Sequence, residues 1–162
     1  MGAQVDSGGT LTINSGRALT INNGSRAPDM TVSGTLVNAG TVTTNGTLAF
    51  SSGGKYQHTH TTTNGAIPTA TWNLNSTAEI IGYTTNTTRP SGLGQAFGNF
   101  TWNTPNQVSS SNISLSGDLS NVTGNLTVAS TGSGSVRLAN TLASGTVNVA
   151  GNVLVNLSLI HI

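Results

Sequence analysis

Ser7-Gly8-Gly9-Thr10-Leu11-Thr12-Ile13-Asn14 runs directly into Ser15-Gly16-Arg17-Ala18-Leu19-Thr20-Ile21-Asn22. Each unit is a small polar turn followed by a short strand with period-two alternation: Leu11 and Ile13 face one way, Thr10 and Thr12 the other. The same grammar recurs in Gly34-Thr35-Leu36-Val37, Gly40-Thr41-Val42-Thr43 and Gly46-Thr47-Leu48-Ala49-Phe50. It returns late in the chain as Asn125-Leu126-Thr127-Val128, Gly145-Thr146-Val147-Asn148-Val149 and Asn152-Val153-Leu154-Val155. No stretch carries apolar residues at helical spacing over two turns, so the chain is predicted to be all-β.

Short strands with dense turns fit a right-handed parallel β-helix (β-solenoid) or an antiparallel β-sandwich. Asn23-Gly24, Asn45-Gly46 and Asn64-Gly65 are hairpin signals and keep the sandwich as the alternative. The solenoid is the preferred reading. The strands are short for a sandwich core, near-identical Gly-Thr-Leu units recur, and Thr, Ser and Asn at the outward positions stack from coil to coil. Residues 1–156 are expected to form a single solenoid segment.

Composition supports this and excludes much else. Of 162 residues only 6% are charged, and about half are Gly, Ser, Thr or Asn, so hydroxyls and amides solvate the surface in place of ions. A formal net charge of +1 makes no phosphate footprint, so no nucleic acid is expected as a partner. No apolar run reaches membrane length, and insertion into a membrane is not expected. With no cysteine there is neither a disulfide framework nor thiolate chemistry.

Residues 51–107 differ from the rest: all seven aromatics fall between Phe50 and Trp102, and Pro68, Pro90 and Pro105 lie here too. A thin Val/Leu core leaves little room for tryptophan, so wider coils or a lateral loop are expected over this segment. Most of these rings read as packing. Tyr56, Trp72, Tyr83, Phe97 and Trp102 are also the candidate ligand-binding residues, as a platform on which sugars would stack.

The run Gly53-Gly54-Lys55-Tyr56-Gln57-His58, then Gly65-Ala66-Ile67-Pro68-Thr69-Ala70-Thr71-Trp72, resembles a repeat module of large secreted Bacteroidetes-type adhesin-like β-solenoid proteins. Pro90-Ser91-Gly92-Leu93, Gln95-Ala96-Phe97-Gly98-Asn99-Phe100-Thr101-Trp102-Asn103 and Gly124-Asn125-Leu126-Thr127-Val128 continue that resemblance over nearly all of the chain up to Asn156. Such proteins carry a C-terminal sorting signal for the type IX secretion route. The resemblance therefore implies a cell-surface or extracellular address, with signal and sorting segments outside this chain. It carries over no catalytic residues. His58-Thr59-His60-Thr61-Thr62-Thr63 departs from the pattern as local variation. Leu157-Ser158-Leu159-Ile160-His161-Ile162 breaks the grammar and is similar to one reading frame of a sequencing-adapter transposon end. It is read as a non-native tail on a gene fragment of environmental origin, and is left out of the functional argument.

Glycoside hydrolysis generally needs two carboxylates at a defined separation, but Asp6, Asp29, Glu79 and Asp118 are scattered in sequence. Glu79 is expected to point outward. Pointing inward, it would need a partner such as Arg89. Lyase chemistry would want a basic residue and calcium ligands, and the chain has one Lys, Lys55, and no acidic cluster. His58-x-His60 puts two imidazoles on one strand face without a third ligand nearby, so no metal and no cofactor are expected. Thr10/Thr12, Thr41/Thr43, Thr59/Thr61 and Thr69/Thr71 are Thr-x-Thr pairs of the kind an ice-binding face uses, but their spacing is irregular.

The expected function is a non-enzymatic stalk or display segment of a larger bacterial surface protein, in contact with cell-surface carbohydrate or a neighbouring cell. The alternatives are a carbohydrate-active enzyme on a β-helix and an ice-binding solenoid. Unpaired backbone at the ends of a solenoid also predicts end-to-end self-association.

Overall fold

The computed structural model describes residues 2–138 and 146–156. Across them the chain is all-β with no helix, its parallel strands stacked as a β-solenoid of about 6 turns. The tail Leu157–Ile162 lies outside the described residues.

Each turn visits three faces. Face one is a continuous parallel sheet in which every turn contributes a strand: β2 (Thr10–Ile13), β5 (Thr35–Asn38), β8 (Lys55–His58), β10 (Thr77–Ile80), β12 (Asn99–Asn103), β15 (Leu126–Ser130) and β18 (Val153–Val155). Face two pairs β3 (Ala18–Ile21) with β6 (Thr41–Thr44) near one end and β13 (Asn112–Ser114) with β16 (Ser135–Arg137) near the other. Face three is built from β1 (Ala3–Val5), β4 (Met30–Val32), β7 (Leu48–Phe50) and β9 (Thr71–Trp72), then β11 (Ala96–Phe97), β14 (Asn121–Val122) and β17 (Asn148–Val149). Every pairing between these strands is parallel. That excludes the antiparallel sandwich.

Register turns the period-two alternation into interior columns. On face one the first inward column runs Leu11, Leu36, Tyr56, Ala78, Phe100, Leu126, Val153. The second runs Ile13, Asn38, His58, Ile80, Trp102, Val128, Val155. Face three supplies Val5, Val32, Phe50 and Trp72 from one sheet. Phe97, Val122 and Val149 continue it in the next. These columns meet in one core. Hydrophobic burial therefore accrues turn by turn from nearest neighbours.

The aromatic segment is accommodated inside this core. By register the step from Thr35 to Lys55 is the shortest of the coils and that from Leu126 to Val153 the longest, so the ring-bearing turns carry fewer residues than the flanking ones. Room comes from side-chain size: Ala78 stands between Tyr56 and Phe100 in their column. Strands in adjacent coils lie about 4.8 Å apart. Rings in one column therefore fall naturally at stacking distance. Phe50 and Trp72 stack with centroids 4.3 Å apart and planes 5° from parallel, and Trp72 meets Phe97 at 5.1 Å.

The corner between faces three and one is a glycine column. Thr35 N–H donates to Gly9 O, Lys55 N–H to Gly34 O and Thr77 N–H to Gly54 O. A Cβ on Gly54 would lie 2.2 Å from Val32 O, and one on Gly34 2.2 Å from Gly9 O, so only glycine lets successive coils approach this closely.

Candidate functional site

The ring cluster and the histidines beside it form the most chemically distinctive region of the fold. Strand alternation turns Tyr56 and His58 inward together, directly above Leu36 and Asn38. Asn38 Oδ1 accepts the Gly40 N–H at 3.0 Å, which leaves its amide nitrogen to donate to the Tyr56 hydroxyl at 3.1 Å. His58 Nε2 lies 2.7 Å from the Asn64 carbonyl, an acceptor, so Nε2 carries the proton. Nδ1 is then the acceptor, and the Tyr56 hydroxyl donates to it at 3.0 Å. Tyr83 closes the chain by donating to the same Asn64 carbonyl at 2.7 Å. The result is a directed relay of hydrogen bonds in which every group is neutral and satisfied.

Burial enforces that neutrality. It depresses the His58 pKa to about 3, with the neighbouring His60 a second cause, and it raises both Tyr56 and Tyr83. His60 stacks on His58 with centroids 4.5 Å apart and its pKa too is lowered by burial. Its Nδ1 meets Thr63 Oγ1 at 3.1 Å, while its Nε2 is enclosed without a hydrogen-bond partner. Gly65 packs on the ring, where a Cβ would come within 2.5 Å of it.

A second polar cluster sits further along. Trp102 Nε1 donates to Thr104 Oγ1 at 2.9 Å and to Gln107 Oε1 at 3.3 Å, and Gln107 Nε2 donates to the Ser111 carbonyl at 2.6 Å and the Ser135 carbonyl at 2.9 Å. Ser111 Oγ bonds the Asn86 carbonyl. Gln107 thus ties its own coil to the next through one amide, and Ser111 ties it to the coil before.

The sequence reads most of these rings as packing and offers Tyr56, Trp72, Tyr83, Phe97 and Trp102 as a candidate stacking platform, and the fold does bring them together. It brings them together inside. Tyr56, Tyr83, Phe97 and Trp102 are at most 1% exposed. Trp72 is half-buried between Phe50 and Phe97, and its Nε1 donates to Gln95 Oε1 at 3.1 Å. The correction has a simple cause: each of these rings occupies an inward register position or packs against one, so burial takes the faces a sugar would need. His58 and His60 do share a side of the fold, yet both nitrogens of His58 are committed to protein partners. Among the described residues no three His, Cys, Asp or Glu cluster as metal ligands.

Glu79 points outward, as expected. It accepts from Gln57 Nε2 at 3.0 Å and Asn103 Nδ2 at 3.5 Å, with Lys55 Nζ at 3.6 Å. Arg89 pairs instead with Asp118, at 2.6 Å. Asp29 fastens a corner: it accepts Gly24 N–H, Thr47 N–H and Thr47 Oγ1–H, and these bonds hold its carboxyl below the usual range. Asp6 accepts from Gln4 Nε2 at 2.7 Å. Each carboxylate is thus engaged with a donor, and none with another carboxylate. Beside Asp29, Asn22, Gly24, Ser25 and Arg26 line an open, polar groove of about 300 Å³.

What sequence reasoning missed is the inward Asn38–His58 column. Its signal was present: Lys55-Tyr56-Gln57-His58 alternates in step with Thr35-Leu36-Val37-Asn38. In comparison with known proteins, no family model, no curated protein and no solved structure matches this chain, so its own geometry carries the functional reading.

Proposed function

We propose that the chain is a non-enzymatic structural and adhesive segment of a large secreted or cell-surface bacterial protein, a stiff stalk whose outer faces contact carbohydrate. The observation that carries this reading is the outer surface of face one. Thr10, Thr35, Lys55, Thr77 and Asn99 form one outward column, and the next runs Thr12, Val37, Gln57, Glu79, Thr101, Thr127 and Leu154. Among the described residues the only charges on this face are Lys55 and Glu79, which pair with each other. Columns made mostly of hydroxyls and amides at strand spacing recognise other hydroxyl-rich surfaces by hydrogen bonding, with little help from ions or stacking. Nearest-neighbour stacking of coils supplies length and stiffness without a global core.

Thr-x-Thr pairs do not gather on one face: Thr10/Thr12 lie on β2, Thr41/Thr43 on β6, and Thr71 on β9. That weighs for carbohydrate contact over ice binding. The test is a glycan array and pull-down on insoluble polysaccharides, paired with a reducing-end assay. The expected result is binding to neutral glycans that holds from about 0.05 to about 0.5 M salt, with no new reducing ends. Turnover would replace this reading with the enzyme, thermal hysteresis with the ice binder, and absence of glycan binding would remove the adhesive part.

A further inference from the structure

We propose that the edge of β18 is a docking strand for the β1–β2 edge of a second copy of this chain, so that copies stack head to tail as further turns of one solenoid. This stands apart from whatever the outer faces bind.

Val153, Leu154 and Val155 are 57%, 50% and 41% exposed. Val153 and Val155 end the two inward columns of face one, which below them hold Leu126 and Val128. At the other end of the same sheet the columns begin with Leu11 and Ile13. A second copy set one strand spacing on would place Leu11 over Val153 and Ile13 over Val155, aliphatic on aliphatic, as Val153 lies over Leu126 and Val155 over Val128. Face three agrees, since its columns end with Val149 and begin with Val5.

Backbone parity makes the match specific. In a parallel ladder alternate residues turn both N–H and C=O to the same side. Asn156 N–H donates to Val128 O and Asn152 O accepts from Leu126 N–H, so the groups of Val153 and Val155 point away from β15. On β2, Gly9 O and Ile13 O accept from Thr35 and Ala39, so the groups of Thr10 and Thr12 point away from β5. Within the chain the ladder joins an inward residue below to an outward residue above, as where Lys55 N–H donates to Gly34 O and Thr59 N–H to Asn38 O. Val153 and Val155 below, with Thr10 and Thr12 above, present the same arrangement. The contact is heterologous and non-closing, so it generates rods instead of a closed ring.

The experiment is sedimentation of the full chain over a concentration series, with electron microscopy. The expected result is a weight-average mass that climbs through dimer, trimer and beyond, with rods of one width. Val155→Lys puts a charge in the docking column. Thr12→Pro removes an N–H that no described strand of its own chain uses. Circular dichroism checks that each variant folds, and each is expected to stay monomeric. A mixture of the two is expected to stop at dimers, because the intact β18 of Thr12→Pro meets the intact β2 of Val155→Lys. A folded chain that is monomeric at every concentration overturns the proposal. So does growth that ignores both variants, or a mixture that stays monomeric. Growth seen only after deletion of residues 157–162 overturns it as well, since that segment would then be the occupant of the edge.

Discussion

The Tyr56 hydroxyl lies 3.0 Å from His58 Nδ1 and is the donor in that bond, because His58 Nε2 already donates to the Asn64 carbonyl. The histidine is held neutral by burial first and by the neighbouring His60, against the Asn64 carbonyl, which favours the charged form. Its folded pKa of about 3 lies far below the 6.5 of the unfolded chain. Between those values the unfolded state binds more protons than the folded one, so stability is full above pH 6.5 and falls as pH drops toward 3. His60 shifts in the same direction. The unfolding free energy from urea titrations between pH 8 and pH 4 is expected to decline below pH 6.5 by about 1 kcal/mol per pH unit for His58, with His60 adding in the same direction. His58→Gln is expected to be less stable at pH 8 and to show a shallower acid slope. An equal slope in wild type and variant would place the proton uptake elsewhere.

Adjacent glycines separate steric from conformational cost. Gly53 has φ +80° with open space where a Cβ would go, whereas a Cβ on Gly54 would strike Val32 O at 2.2 Å. Gly53→Ala is expected to cost about 1 kcal/mol, the price of a left-handed conformation. Gly54→Ala forces two coils apart and is expected to cost about 3 kcal/mol or more. Chemical denaturation of the two variants side by side checks the order, and a reversed order would deny the close approach at this corner.

The fold was legible because Thr10-Leu11-Thr12-Ile13 and its echoes carry both the strand period and the self-similarity of stacked turns. The coil length was not legible, since turns of different length between strands leave no fixed repeat: Leu36 sits over Leu11, but Tyr56 over Leu36 after a shorter step. How rings this large fit the core was not legible for a related reason. Core width depends on what lies in the same column one coil away, and Ala78 between Tyr56 and Phe100 is visible only once the register is known. Arg89 and Asp118 meet across a coil boundary in the same way.

Trp72 separates a packing role from a binding role. Its ring lies against Phe50 on one side and Phe97 on the other, and its Nε1 donates to Gln95 Oε1. Gln95 Oε1 also accepts the Ala70 N–H at 2.8 Å, so the amide clamps this strand. Trp72→Ala is expected to lose about 3 kcal/mol of stability, including about 1 kcal/mol of stacking with Phe50. Gln95→Ala is expected to lose about 1–2 kcal/mol, and the double variant less than the sum because the two share a bond. Glycan binding by the folded variants is expected to be unchanged. Lost binding with unchanged stability would return Trp72 to the surface platform.

Glu79 is the residue that most directly tests whether the outer face is catalytic. Its carboxylate takes Gln57 and Asn103 as donors and Lys55 as counter-ion on the outer face. Lys55 is 42% exposed in its side chain, so solvent screens the pair and it contributes less than about 1 kcal/mol. Lys55→Met is accordingly expected to leave the melting temperature almost unmoved. Glu79→Gln keeps two of the three contacts in altered form and is expected to fold normally, with glycan binding within about threefold of wild type, a difference below 1 kcal/mol. A polysaccharide-cleaving activity present in the wild type and abolished by Glu79→Gln would show this carboxylate at work as an acid or base, and the outer face would then be an active site.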